Sequence, residues 1–156
     1  METTLYDAMR HLHSVGRWIV LLLLIFAILN SLIAGRRPFI RTDARLGLLL
    51  TIFADIMLLL GIYLWYAGPY GYKLIQSNGM NAVMKDPTMR FFAVEHIAGM
   101  LIAIILIHVG KAQGRRPISD KAKHNRTLIF YFLALLIILV SIPCPFRAIG
   151  ANSHWY

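Results

Sequence analysis

Five ionisable side chains, Arg17, Asp55, Glu95, His96 and His108, fall inside runs of otherwise apolar residues. A charged group in hydrocarbon costs about 2.5–3.5 kcal/mol on insertion scales, so each needs a partner or a task. His13 stands at the head of the first run and His96 near the head of the third. Helices that alternate in direction would bring these two histidines to one side of a membrane. Two neutral imidazoles from different helices of a bundle can ligate a haem iron from its two faces, with the macrocycle between the helices. Gly16 and Gly99 each follow their histidine by three residues and share its helical face, where a missing side chain would let a flat group approach. Arg17, four residues after His13, lies on that face too, and its guanidinium suits a carboxylate such as a propionate. On the residues alone a plainer use comes first: Gly16 and Gly99 as close-packing points, and Arg17 as the partner of Glu95.

Asp55, near the middle of the second run, is expected to be protonated or hydrogen-bonded. Together with Glu95 it could pass protons to a quinone headgroup, or both could be polar glue between helices. His11 is two residues from His13 and on a different face, so at most one of them points inward, and His13 is the better placed. His108 lies twelve residues beyond His96, about 18 Å along a helix, too far to join the same site. With His124 it could make a second site at the basic end, although two ordinary interfacial histidines explain the pair as well. Cys144 is the single cysteine, which rules out a CxxCH attachment, so any haem must be held non-covalently.

The elements that would position these groups are spanning helices. Four apolar runs, 15–34, 46–67, 91–109 and 128–146, each approach the roughly 20 residues that cross a hydrocarbon core. Only 15% of the chain is charged and 58% is hydrophobic, which points to lipid as the solvent rather than to a soluble enzyme domain. Within lipid, segments of this length can satisfy their backbone only as helices. The expected fold is therefore all-α, a four-transmembrane-helix up-and-down bundle forming one domain over residues 1–156. Thr42 or Asp43 is expected to cap the second helix, Asp86 with Pro87 the third and Ser119 the fourth. Gly68-Pro69 should end the second helix, and Pro143 and Pro145 should end or kink the fourth. Residues 3–14 read as a helical extension of the first span, and Trp18, Trp65 and the tyrosines nearby read as interfacial anchors.

The net charge of +9 does not imply nucleic acid, because the basic residues sit in the connections. Ten of the sixteen Lys and Arg fall in the first and third connections, so that side is expected to face the cytoplasm and both termini the outside of a bacterial inner membrane. The first run is too long, and too basic at its end, for a cleaved signal peptide. Gly-Arg-Arg-Pro occurs at 35–38 and again at 114–117, a hint of a duplicated hairpin.

Leu12-His13-Ser14 with Arg17-Trp18, the run LLLGIYL at 58–64, MKDPTMRFFAVEH at 84–96 and residues 123–146, ending in SIPCPF, together touch all four spans. With these landmarks in this order, the chain resembles the small bacterial four-helix membrane proteins labelled cytochrome b. The resemblance implies a b-type haem protein of an electron-transfer chain, with His13 and His96 matching the family's histidines; quinol as electron donor and other respiratory subunits as partners are further expectations. Two positions depart from it. Asp55 stands where the family has a second-helix histidine, and Cys144 where it has tryptophan. A haem-free accessory subunit of a larger membrane complex is the alternative expectation.

Overall fold

The computed structural model describes residues 2–35 and 37–143. Cys144, Pro145, Arg147 and the end of the fourth expected span lie outside them. The chain runs through α1 (Glu2–Ile33) and α2 (Arg41–Ala67), then a cap of short helices, α3 (Tyr72–Asn78) and α4 (Met80–Lys85). The third span is composite: α5 (Pro87–Arg90), a π-helical turn (Phe91–Glu95) and α6 (His96–Gln113). The last is α7 (Asp120–Ser141). Four helices are long and apolar enough to cross a membrane, as the composition requires. They pack in the ring α1, α2, α6, α7, so α1 and α6 face each other across the diagonal of an up-and-down bundle.

Local signals account for most of the helix ends. Asp86 Oδ1 accepts from the Met89 amide at 2.8 Å with Pro87 behind it, and Ser119 Oγ accepts from the Ala122 amide at 3.3 Å. The first 32-residue helix is continuous from Glu2, so the polar extension expected over residues 3–14 continues the span. The start of α2 differs from expectation. Ile40 occupies the cap position, and Asp43 sits at the third helical residue, reaching back to accept the Ile40 amide at 2.8 Å.

Asp43 has a larger task than a cap. Its Oδ2 also accepts from Arg37 Nη1 at 2.8 Å, and its Oδ1 accepts from Arg37 Nη2 at 2.6 Å and from Asn30 Nδ2 at 2.7 Å. Arg37 Nη2 completes the ring by donating to Asn30 Oδ1 at 3.1 Å. A bidentate arginine–carboxylate pair of this kind fixes geometry as well as charge. Its hydrogen bond to Asp43 also raises the Arg37 pKa above its already high ordinary value. The clamp joins the end of α1 to the start of α2 through the turn in which Gly35 takes φ +59°, a conformation that favours glycine.

A buried core lies between this clamp and the middle of the bundle. Leu24, Leu50, Ala54, Ala103, Ile107, Tyr131 and Ala134 are buried there, and two threonine hydroxyls are satisfied locally: Thr51 Oγ1 donates to the Leu48 carbonyl at 2.8 Å and Thr127 Oγ1 to the Gly110 carbonyl at 3.2 Å. Gly110 is where α6 and α7 close on each other. A Cβ there would lie 2.5 Å from the Tyr131 ring, so Gly110→Ala forces the buried ring to move. The expected cost is about 1–3 kcal/mol, read as a lowered midpoint in detergent unfolding; an unchanged midpoint would show that the ring can give.

Candidate functional site

Toward its other end the bundle is hollow. A cavity of about 280 Å³ extends from Tyr6, Arg10, His13 and Arg17 at its polar mouth to Met100, Ala103, Ile107 and Ile138 at its apolar floor. The spacing of the α1 residues explains the mouth: positions 6, 10, 13 and 17 share one helical face, which turns toward α2 and α6.

His13 and His96 meet across the diagonal, with ring centroids 6.5 Å apart and planes at 73°. Two imidazoles that share one metal through a nitrogen each have centroids roughly 6 Å apart, given metal–nitrogen bonds of about 2 Å. His96 Nδ1 lies 2.7 Å from the Ser141 carbonyl oxygen at the end of α7. A carbonyl only accepts, so Nδ1 carries the proton, and in the neutral ring the lone pair sits on Nε2. Metal-ligating histidines are commonly oriented in this way, through a carbonyl that fixes tautomer and ring. The same bond satisfies a carbonyl of the last turn of α7. His13 Nδ1 is buried without a hydrogen-bond partner. Its Cε1 lies 3.3 Å from where a Cβ on Gly61 would be, so the bare backbone of α2 makes room for that ring.

The π-helical turn delivers His96. One extra residue is accommodated over Phe91–Glu95, and the His96 amide bonds to the Phe91 carbonyl. Trp65 braces the turn from α2: its indole N–H donates to the Ala93 carbonyl at 2.8 Å, and the ring lines the cavity. It is more than an interfacial anchor. Gly61 and Trp65, four residues apart, belong to the inward face of α2 together with Ala54, Met57 and Leu58. That spacing was the available signal for residues the sequence reading missed.

The other expected site residues divide. Arg17 lines the cavity beside Trp18, its guanidinium carbon 5.4 Å from the ring centroid. Gly16 faces the thioether of Met57 on α2, and Gly99 faces the Ser141 side chain on α7. Both are close-packing points between helices, and neither lines the cavity. Glu95 is exposed and binds Arg90 at 2.6 Å, outside the cavity. Asp55 is also outside, its Oδ1 2.8 Å from His108 Nε2 across the groove between α2 and α6, with both side chains about half exposed. His108 and His124 make no joint site. His124 is buried against the Phe39 ring at 5.1 Å, and neither of its ring nitrogens has a hydrogen-bond partner.

Among the described residues, no group of three or more His, Cys, Asp or Glu is arranged to hold a metal ion, which leaves the His13–His96 pair as the candidate centre. No family model, curated protein or solved structure matches the chain, so its function has to be read from the chemistry of these side chains.

Proposed function

We propose that the chain is a membrane-embedded b-type electron carrier in which His13 and His96 would hold one non-covalent haem. The observation that carries this reading is the meeting of two imidazoles from diagonal helices, one with its Nδ1 proton committed to a carbonyl and the other with an orphaned buried nitrogen. Two nitrogens fall short of a structural zinc site, which takes four protein ligands. Two imidazole nitrogens are, by contrast, the protein's full share in holding a haem. When bound, it supplies reversible one-electron transfer.

The chain's own residues then divide the work. Arg17, with Arg10 beside it at the mouth, offers guanidinium groups to the propionates, and Arg10 is held toward Asp7 at 3.4 Å. Met100, Ala103, Ile104 and Ile138 exclude water from the inner part of the cavity. The Lys and Arg bias of the connections turns the cavity mouth and both termini to the outside of the inner membrane. A quinol is the donor class that a carrier with a membrane-embedded site would draw on. Proton handling falls to Asp55 with His108 rather than to Glu95, which the exposed ion pair with Arg90 occupies.

The alternative, a haem-free accessory subunit, draws on a separate observation: the half-exposed Asp55–His108 pair on a spanning surface is what a partner helix would cover. A dithionite-reduced minus oxidised spectrum of the purified chain, with a haem assay, tests the two. A sharp b-type band at one haem per chain is expected. A flat spectrum after haem supplementation, with larger subunits co-purifying, would put the accessory subunit ahead.

A further inference from the structure

At the opposite end of the bundle from the His13–His96 pair, a second cavity of about 200 Å³ opens between α2 and α6. Arg41, Arg45, Lys111 and Arg115 line it. None of the four side chains makes a hydrogen bond or ion pair among the described residues. The one acid in the lining, Asp43, is spent, since both its oxygens are taken up by Arg37, Asn30 and the Ile40 amide. Four cations therefore surround a space that holds no free anion of the protein's own.

The floor of this cavity supplies an independent observation. Tyr131 is 2% exposed, yet its hydroxyl makes no hydrogen bond among the described residues. The ring is enclosed while its hydroxyl is left open to the cavity with its donor unspent. The hydroxyl lies on the cavity side, 2.9 Å from where a Cβ of Gly47, another lining residue, would stand. The absent side chain at Gly47 keeps the way open between Lys111 and that hydroxyl.

We propose that this cavity binds the phosphate of an anionic phospholipid, with the tyrosine hydroxyl donating to a phosphate oxygen and the arginines and Lys111 neutralising it. Phosphate is the anion that forked guanidinium groups and an ammonium recognise together. A lipid is favoured over free phosphate by what adjoins the site. Leu48, in the lining, begins an exposed apolar row that continues through Ile52 and Ile56 at helical spacing, a track along which an acyl chain can lie. Basic pockets between spanning helices at the cytoplasmic face are suited to such headgroups. This inference is independent of the haem reading and survives its failure.

The test is native mass spectrometry of the full chain released from detergent, titrated with phosphatidylglycerol or phosphatidylcholine. Phosphatidylglycerol should bind roughly tenfold more tightly. An Arg45→Gln, Arg115→Gln double variant should erase that preference, and Tyr131→Phe, which removes one oxygen from an otherwise unchanged ring, should weaken phosphatidylglycerol several-fold. Lys121→Gln with Arg126→Gln removes the same charge from exposed positions outside the cavity and should leave the preference intact. Equal binding of the two lipids would overturn the proposal, as would a control pair as damaging as the cavity pair. Displacement by millimolar inorganic phosphate with no dependence on acyl chains would reassign the site to the free anion.

Discussion

Haem recovered with a His96→Ala variant is expected to fall to background while the bundle keeps its helical circular dichroism and its elution position. The substitution removes two things at once, the Nε2 lone pair and the proton that Nδ1 gives to the Ser141 carbonyl. The second loss alone is worth about 1–3 kcal/mol if the carbonyl is left unsatisfied. His96→Asn separates them. An asparagine amide nitrogen falls close to the position of Nδ1 and can still donate to Ser141, but nothing replaces Nε2. Stability in that variant should return toward the parent while haem does not. His13→Ala should behave like His96→Ala in haem content, with a smaller stability change because its Nδ1 bonds nothing. Glu95→Gln, which touches only an exposed ion pair, should leave the spectrum unaltered. Stoichiometric haem in His96→Ala or His96→Asn would sink the ligand assignment outright.

The largest loss of stability should come from Asp43→Ala. Its side chain is 2% exposed and holds together Arg37, Asn30 and the first turn of α2. Removing one member of a buried, hydrogen-bonded pair costs about 3–5 kcal/mol, and the partial exposure of Arg37 brings the expectation to the lower end of that range. Asn30→Ala, which deletes two bonds and leaves the bidentate pair, should cost about 1 kcal/mol. Unfolding by titrated dodecyl sulfate in mixed micelles reads both. Asp120→Ala breaks a surface contact with Lys123 one turn away and provides the contrast, with a change under about 1 kcal/mol. Equal effects of Asp43→Ala and Asp120→Ala would show that the clamp adds nothing to the turn.

How much of this was legible in the sequence depends on the interaction that decides each feature. Hydropathy sets the four spans, and the bundle follows from lipid leaving the backbone no other option. The convergence of His13 and His96 was legible because it needs only helix direction and depth. Asp55 was harder. It adjoins Ala54 on the inward face, but one residue is 100° of helix, and that turn carries it out to His108. Gly16 and Gly99 share a helical face with their histidines as expected, yet neighbouring helices already fill the space beside them. The repeated Gly-Arg-Arg-Pro shows the limit most directly. Gly35 takes φ +59° in a turn whose Arg37 finds Asp43, whereas Gly114 stays helical at φ −61°, because no acid stands at the same distance beyond Arg116. The two tetrapeptides match, and the presence or absence of that acid decides the turn.

The π-helical turn before His96 gives the third span a spare residue. Deleting one residue within Phe91–Glu95 would let the segment revert to ordinary α-helix without breaking it, and because the widened turn already absorbs that residue the Asp86–Pro87 cap would keep its face relative to His96. The interval from that cap to the histidine is thus an adjustable joint rather than a ruler. A homologous chain one residue shorter there would present the same imidazole to the same cavity, with the cap on the same face. Aligning such chains on the proline would put the histidine out of register, and aligning them on the histidine would recover it.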